Sequence, residues 1–193
     1  VNPGYFTPPL TRGPAPMRTR VFLTIDTEFS IGGALEPANV NEPIGPQNVL
    51  CDVDGVSEGL GFMLQAFSAH EVRATFFIEA LQTAYFGDAP MRELAQRIAG
   101  AGHDVQLHLH PVWTYFEHPD WRERKLREPP ADNLHGRSVD QLMRWMRLGI
   151  DALERWALPA PVALRTGNLM VDRNVYRAMS RTGLGVASDN DRA

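Results

Sequence analysis

Five short apolar runs, at residues 21–25, 72–80, 104–109, 162–165 and 184–188, alternate along this chain with stretches whose apolar residues recur at helical spacing. That alternation leaves few folds open, because a strand followed by a helix and another strand closes most readily as a right-handed parallel crossover. The helical stretches are 52–69, 89–101, 138–156 and 172–181. In the first, Asp52 or Asp54 is placed to cap, and Val56, Leu60, Met63, Leu64 and Phe67 share a face. The third is the clearest. Ser138 and Gln141 have capping-box spacing, and Leu142, Trp145, Met146, Leu148, Gly149, Leu153 and Trp156 form a broad apolar face.

The expected class is therefore α/β, with parallel strands and helices packed against them. At 193 residues and 44% apolar composition, the chain supplies one sizeable core and is short for two. Residues 1–20, with Pro3, Pro8, Pro9, Pro14 and Pro16, are expected to form an extended arm, and residues 21–193 the folded domain. Residues 32–46 and 111–130, rich in glycine, proline and unpatterned aromatics, predict long loops or short irregular helices.

In parallel β/α folds the chemistry gathers where the strands end. The first run ends in Asp26-Thr27-Glu28, and the third in His108-Leu109-His110. Side chains alternate along a strand, so each pair projects from one face, its members roughly 7 Å apart. If the two strand ends meet, four metal-capable groups converge. Two imidazoles and a carboxylate are a set that holds a catalytic divalent metal, zinc above all, with a position left for water. Such a metal lowers the pKa of that water and polarises a carbonyl, while the other carboxylate accepts a proton as general base. Arg165 ends a further apolar strand and needs an acidic partner there, for which Asp26 is the natural choice. Asp189 also falls at this rim. His70, His103, His118 and His135 sit at junctions or in polar loops and read as structural or solvated. Trp113 and Tyr115 have two readings, a platform for a sugar ring or a cover for the core.

Composition excludes several classes. A formal net charge of -4, with arginines scattered among acids, offers no footprint for nucleic acid. The single cysteine, Cys51, rules out an internal disulfide and a multi-cysteine zinc site, and reads as a buried or incidental thiol. No apolar run approaches the ~20 residues of a membrane span, and no signal peptide is visible, which points to the cytoplasm.

Four segments together resemble the NodB-homology polysaccharide deacetylases, carbohydrate esterase family four. They are Thr24-Ile25-Asp26-Thr27-Glu28, Ala74-Thr75-Phe76-Phe77, the run from Gly102 to Pro111, and Leu164-Arg165-Thr166-Gly167-Asn168. The resemblance implies a deformed parallel (β/α) barrel and a metal-dependent hydrolase removing acetyl groups from N-acetylated saccharides. It implies Asp26 as base, Glu28 as a metal ligand in place of the usual second aspartate, His108 as first histidine ligand and Arg165 as tether of the base. Trp113 and Asn168 are the candidates for contact with the carbohydrate. The family's second histidine lies four residues after the first, where this chain has Val112, so His110 serves from a different register. The family also continues past Asp189 to further strands and a late histidine acting as general acid. The barrel is therefore expected to be incomplete at its C-terminus, or walled by a second copy of the chain. Two other functions fit the same residues, a non-catalytic saccharide-binding or scaffold protein and an amidohydrolase of a small amide. The amidohydrolase would need an added lysine or further histidines at its centre.

Overall fold

The computed structural model describes residues 19–128 and 130–189. The expected arm lies almost wholly outside them. The elements in chain order are β1 (Thr24–Thr27), α1 (Gln47–Leu50), β2 (Asp52–Val53), β3 (Val56–Ser57), α2 (Leu60–Ala69), β4 (Thr75–Glu79), α3 (Thr83–Phe86) and α4 (Ala89–Gly100). Next come β5 (Asp104–Leu109), a 3-10 turn (Pro111–Glu117), α5 (Trp121–Arg124), α6 (Val139–Arg155), β6 (Ala163–Thr166), α7 (Arg173–Thr182) and β7 (Val186–Ala187).

Five strands form one parallel sheet in the order β1-β4-β5-β6-β7, which is their order in the chain. Each crossover thus adds its strand on the same side as the last. With right-handed crossovers, the helices all fall on one face and the sheet is an arc of a (β/α) barrel, open between β1 and β7 among the described residues.

The register gives the two faces different chemistry. Thr27, Ile78, Leu107 and Leu164 lie in one cross-strand row. Leu107 and Leu109 pack beneath Gly149 of α6, so this face meets the helices. Leu142, Trp145, Met146, Ala152 and Leu153 of the same helix are buried above it. Burying each large aliphatic or aromatic side chain stabilises by about 1.5–3 kcal/mol, so this layer carries the fold. The opposite face holds the row Asp26, Phe77 and Gln106, and then the row Glu79, His108 and Arg165. The fold's stability and its chemistry occupy opposite sides of one sheet.

Three expectations are corrected. Residues 52–57 form an antiparallel hairpin rather than the start of a helix. Asp54 and Gly55, at φ 51° and 80°, make the left-handed two-residue turn that joins such strands, and α2 begins only at Leu60. Trp113 is 1% exposed, its ring packed among Phe86 and Phe116 in an aromatic cluster that continues to Phe29, Tyr85 and Trp121. It covers the core and has no face free for a sugar. The cluster also explains how 111–124 stays ordered without a period: its aromatics serve as the apolar layer for short turns. Cys51 is exposed, not buried. Among the described residues no helix is long and apolar enough to cross a membrane.

The end of the fold is fastened by Asp172, which caps α7. One carboxylate oxygen accepts from the Asn174 and Val175 amides at 2.8 and 3.0 Å, and the other from the Gly136 amide at 2.7 Å. Asp172→Ala is expected to cost about 1–2 kcal/mol, and Asp172→Asn much less, in urea unfolding. An unchanged midpoint in the alanine variant would show that the cap is idle.

Candidate active site

β1 and β5 do not touch in the sheet, yet their ends meet across β4. Glu28, His108 and His110 each offer a ligand atom, and these atoms lie within 4.8 Å of one another. His110 Nε2 is 3.1 Å from Glu28 Oε2, and His108 Nε2 is 3.6 Å from the same oxygen. The two rings stand edge to face, their centroids 4.8 Å apart.

Which nitrogen each imidazole presents is decided by the partner on its other side. His108 Nδ1–H donates to the Arg165 carbonyl at 2.9 Å, and His110 Nδ1–H to Asp132 Oδ2 at 2.6 Å. A carbonyl and a carboxylate only accept, so each Nδ1 keeps its proton, and Nε2 is the nitrogen turned to Glu28 and the one that can take a cation once its own proton leaves. Imidazoles held through the second nitrogen by an acceptor, together with one carboxylate, suit a divalent metal. The residues present therefore fit the cation that the sequence implied.

Arg165 binds Asp26 as expected. Its Nη1 donates to Asp26 Oδ1 at 2.7 Å, its Nη2 to Thr24 Oγ1 at 2.7 Å and to Ser188 Oγ at 2.8 Å. The guanidinium lies 4.3 Å over the Phe77 ring. Asp26 is the carboxylate left outside the three-ligand cluster, fixed by a cation on one side and open on the other.

With this geometry in place, comparison with known proteins gives a consistent result. No family model matches the chain, and no curated protein sequence matches it. Solved structures do. A CE4 family pseudoenzyme from Bacillus anthracis aligns over 90% of this chain and 44% of its own, at 15% identity and a TM-score of 0.56. A peptidoglycan N-acetylglucosamine deacetylase aligns over 86% of this chain and 55% of its own, at 17% identity and a TM-score of 0.51. A Mycobacterium smegmatis protein described as a polysaccharide deacetylase aligns over 84% and 48%, at 18% identity and 0.51. This chain has the CE4 fold. It spans about half the length of the CE4 chains that it matches.

On this CE4 sheet, two acids unmarked by the sequence reading join the site. Glu79 ends β4 and is fully buried, its Oε1 accepting from the Leu81 amide at 2.5 Å and its Oε2 from the His110 amide. Asp132 comes from the loop before α6. Asp189, already marked at the rim, accepts from the Thr166 amide and hydroxyl at 2.7 and 2.8 Å. Asn168 donates its side-chain amide to the Asp132 carbonyl at 3.0 Å. His103 accepts from the Ala74 amide at 3.2 Å, a structural role.

The charges are strongly coupled. Burial alone would raise Glu28, but the imidazoles of His108 and His110 hold it down at about 2. Burial likewise opposes the His110 cation, yet Asp132, Glu28 and Glu79 carry it up to about 11. His108 is raised against its burial by Glu28 and Glu79. Burial lifts Glu79 to about 8, against the pull of both imidazoles and the Leu81 amide.

These shifts fix a pH window for the metal-free protein. His110, raised from 6.5, contributes stability that is full below pH 6.5 and is lost as pH rises toward about 11. Glu28, lowered from 4.5, contributes stability that is full above pH 4.5 and is lost as pH falls toward about 2. Glu79, raised from 4.5 to about 8, works the other way and costs stability as pH climbs between those values, so with a chelator present thermal melts are expected to show the cluster's contribution greatest near pH 4.5 and falling above it. His110→Ala should flatten the decline above about pH 8, where Glu79 is already ionised, and an identical decline there in that variant would remove His110 as its cause.

Proposed function

We propose that the chain is a metal-dependent hydrolase that removes acetyl groups from N-acetylated saccharides, with zinc as its cation. The observation that carries this reading is the convergence of Glu28, His108 and His110 beside an Asp26 that belongs to Arg165. Glu28 Oε2 and the two Nε2 atoms would hold the cation, which when bound supplies a Lewis acid for the amide carbonyl and a water of lowered pKa.

The remaining work falls to the chain's own groups. Asp26 accepts the proton of the attacking water through the oxygen that Arg165 leaves free. Arg165 keeps that carboxylate from swinging toward the cation, holding it by one of four hydrogen bonds it shares among Asp26, Thr24 and Ser188. His108 and His110 present lone pairs because their Nδ1 protons are engaged elsewhere. The polar face receives the saccharide, with Asn168 at its margin. Its amide is engaged by Asp132, which leaves the Asn168 side-chain oxygen to face a hydroxyl.

A second reading, a saccharide-binding protein without turnover, has one observation in its favour: the matched structures include a CE4 family pseudoenzyme. The amidohydrolase reading loses ground. The chain's only lysine is Lys125, and its Nζ donates to the Ala34 and Asn39 carbonyls, bracing the loop after β1.

Acetate release from N-acetylated sugar oligomers, measured with zinc present, separates these readings. Asp26→Asn is expected to lower the rate by about 10²–10⁴-fold, the scale of a lost general base, while leaving zinc bound. Full activity in that variant would sink the assignment. Oligosaccharide binding that survives chelation, with no acetate released by the parent, would establish the binding reading instead.

A further inference from the structure

The two histidines are held in different ways. His108 lies inside β5, where its backbone is fixed by pairing with Glu79 on one side and Arg165 on the other. His110 lies one residue beyond the strand, past the last paired position of β4. No ladder fixes its amide or its φ and ψ. Left to itself, an imidazole on such a residue samples several rotamers, and ordering it opposes binding.

Three neighbours remove that freedom. The Glu79 carboxylate reaches past the end of β4 and accepts the His110 amide, with the Leu81 amide on its other oxygen at 2.5 Å. Asp132 Oδ2 accepts from His110 Nδ1–H at 2.6 Å, while its Oδ1 faces the Val112 amide at 3.3 Å. The Asp132 carbonyl is itself fastened to the end of β6 by Asn168 at 3.0 Å. Finally, the imidazole lies against Gly167. A Cβ there would fall 2.5 Å from His110 Nδ1 and 2.6 Å from Cε1, so only glycine leaves the ring its place. The one ring nitrogen without such a partner is Nε2, and it faces Glu28.

We infer that Asp132, Glu79 and Gly167 form a cradle that turns His110 into the second imidazole ligand, with Asp132 as its positioning residue. The inference rests on the metal-binding reading above and deepens it. It accounts for a second histidine two residues after the first: a ligand beyond the strand needs outside support, and the ends of β4 and β6 and the 130–137 loop supply it. Asn168 acts in the same chain of contacts, through Asp132.

The test is zinc affinity of the full chain near neutral pH, by competition with a chromophoric chelator, with melting curves as a fold control. The side chain of Asp132 is 31% exposed, so Asp132→Ala is expected to stay folded. It should bind zinc about 10–100-fold more weakly, the usual scale for losing a partner of a metal ligand. Asp132→Asn should return close to the parent, because its amide oxygen still accepts from Nδ1–H. Gly167→Ala should weaken binding with no change of charge. In the zinc-loaded parent, the His110 Nδ1 proton should give a slowly exchanging NMR signal that Asp132→Ala abolishes. Parent affinity and a protected Nδ1 proton in Asp132→Ala would overturn the inference alone. So would an asparagine variant as weak as alanine, which would assign Asp132 a role through its charge. A folded parent that binds no zinc would overturn the metal reading, and this inference with it.

Discussion

The arrangement depends on one cation placed on the polar face of the sheet. Arg165 brings a guanidinium, only 11% exposed, into a layer that a parallel sheet usually fills with apolar side chains. Leaving such a charge unpaired would cost about 3–5 kcal/mol if it were wholly buried. Its partners are spread over the whole arc: Thr24 and Asp26 from β1, Phe77 from β4, and Ser188 after β7. Its backbone carbonyl meanwhile sets the His108 ring. A single residue thus joins the first and last strands of the described sheet and orients one member of the acidic pair and one of the histidine pair. The side chain fixes Asp26, and the main chain fixes His108.

The sequence carried this half of the site because strand periodicity is a strong local signal. Asp26 with Glu28, and His108 with His110, stand two apart at the ends of apolar runs, and a period of two places each pair on one face. Arg165 was legible for a related reason, as a charge that had to find an acid. Glu79 ends an apolar strand in the same way but has no second polar residue two positions away, so nothing distinguished it from a solvated strand end. Asp132 left no local trace at all. It lies 22 residues from His110, and only the path of the chain between β5 and α6 brings them together.

Where the reading of secondary structure failed, two signals competed for the same residues. Val56, Leu60, Met63 and Leu64 fit one helical face, yet Asp54-Gly55 is a hairpin turn, and the turn governed the backbone up to Leu60. Trp113 failed for another reason. An aromatic in an irregular segment reads as available for stacking, but an irregular segment still needs an apolar layer, and here its own aromatic residues provide it.

Charge balance explains why so many acids surround two imidazoles. Glu28 and Asp132 contact His110 directly, Glu79 takes its amide, and Glu28 also faces His108. The carboxylates of Glu28 and Asp132 beside two neutral imidazoles would leave an excess of negative charge in a partly enclosed site, while Glu79, wholly buried and lifted to about 8, keeps its own proton at neutral pH. Protons on the imidazoles reduce that excess, and the raised proton affinities of His108 and His110 are its expression. A divalent cation would answer the same excess of negative charge as those protons. The acids that raise the imidazoles' affinity for protons would therefore also favour a dication, and proton and metal would compete for one electrostatic well.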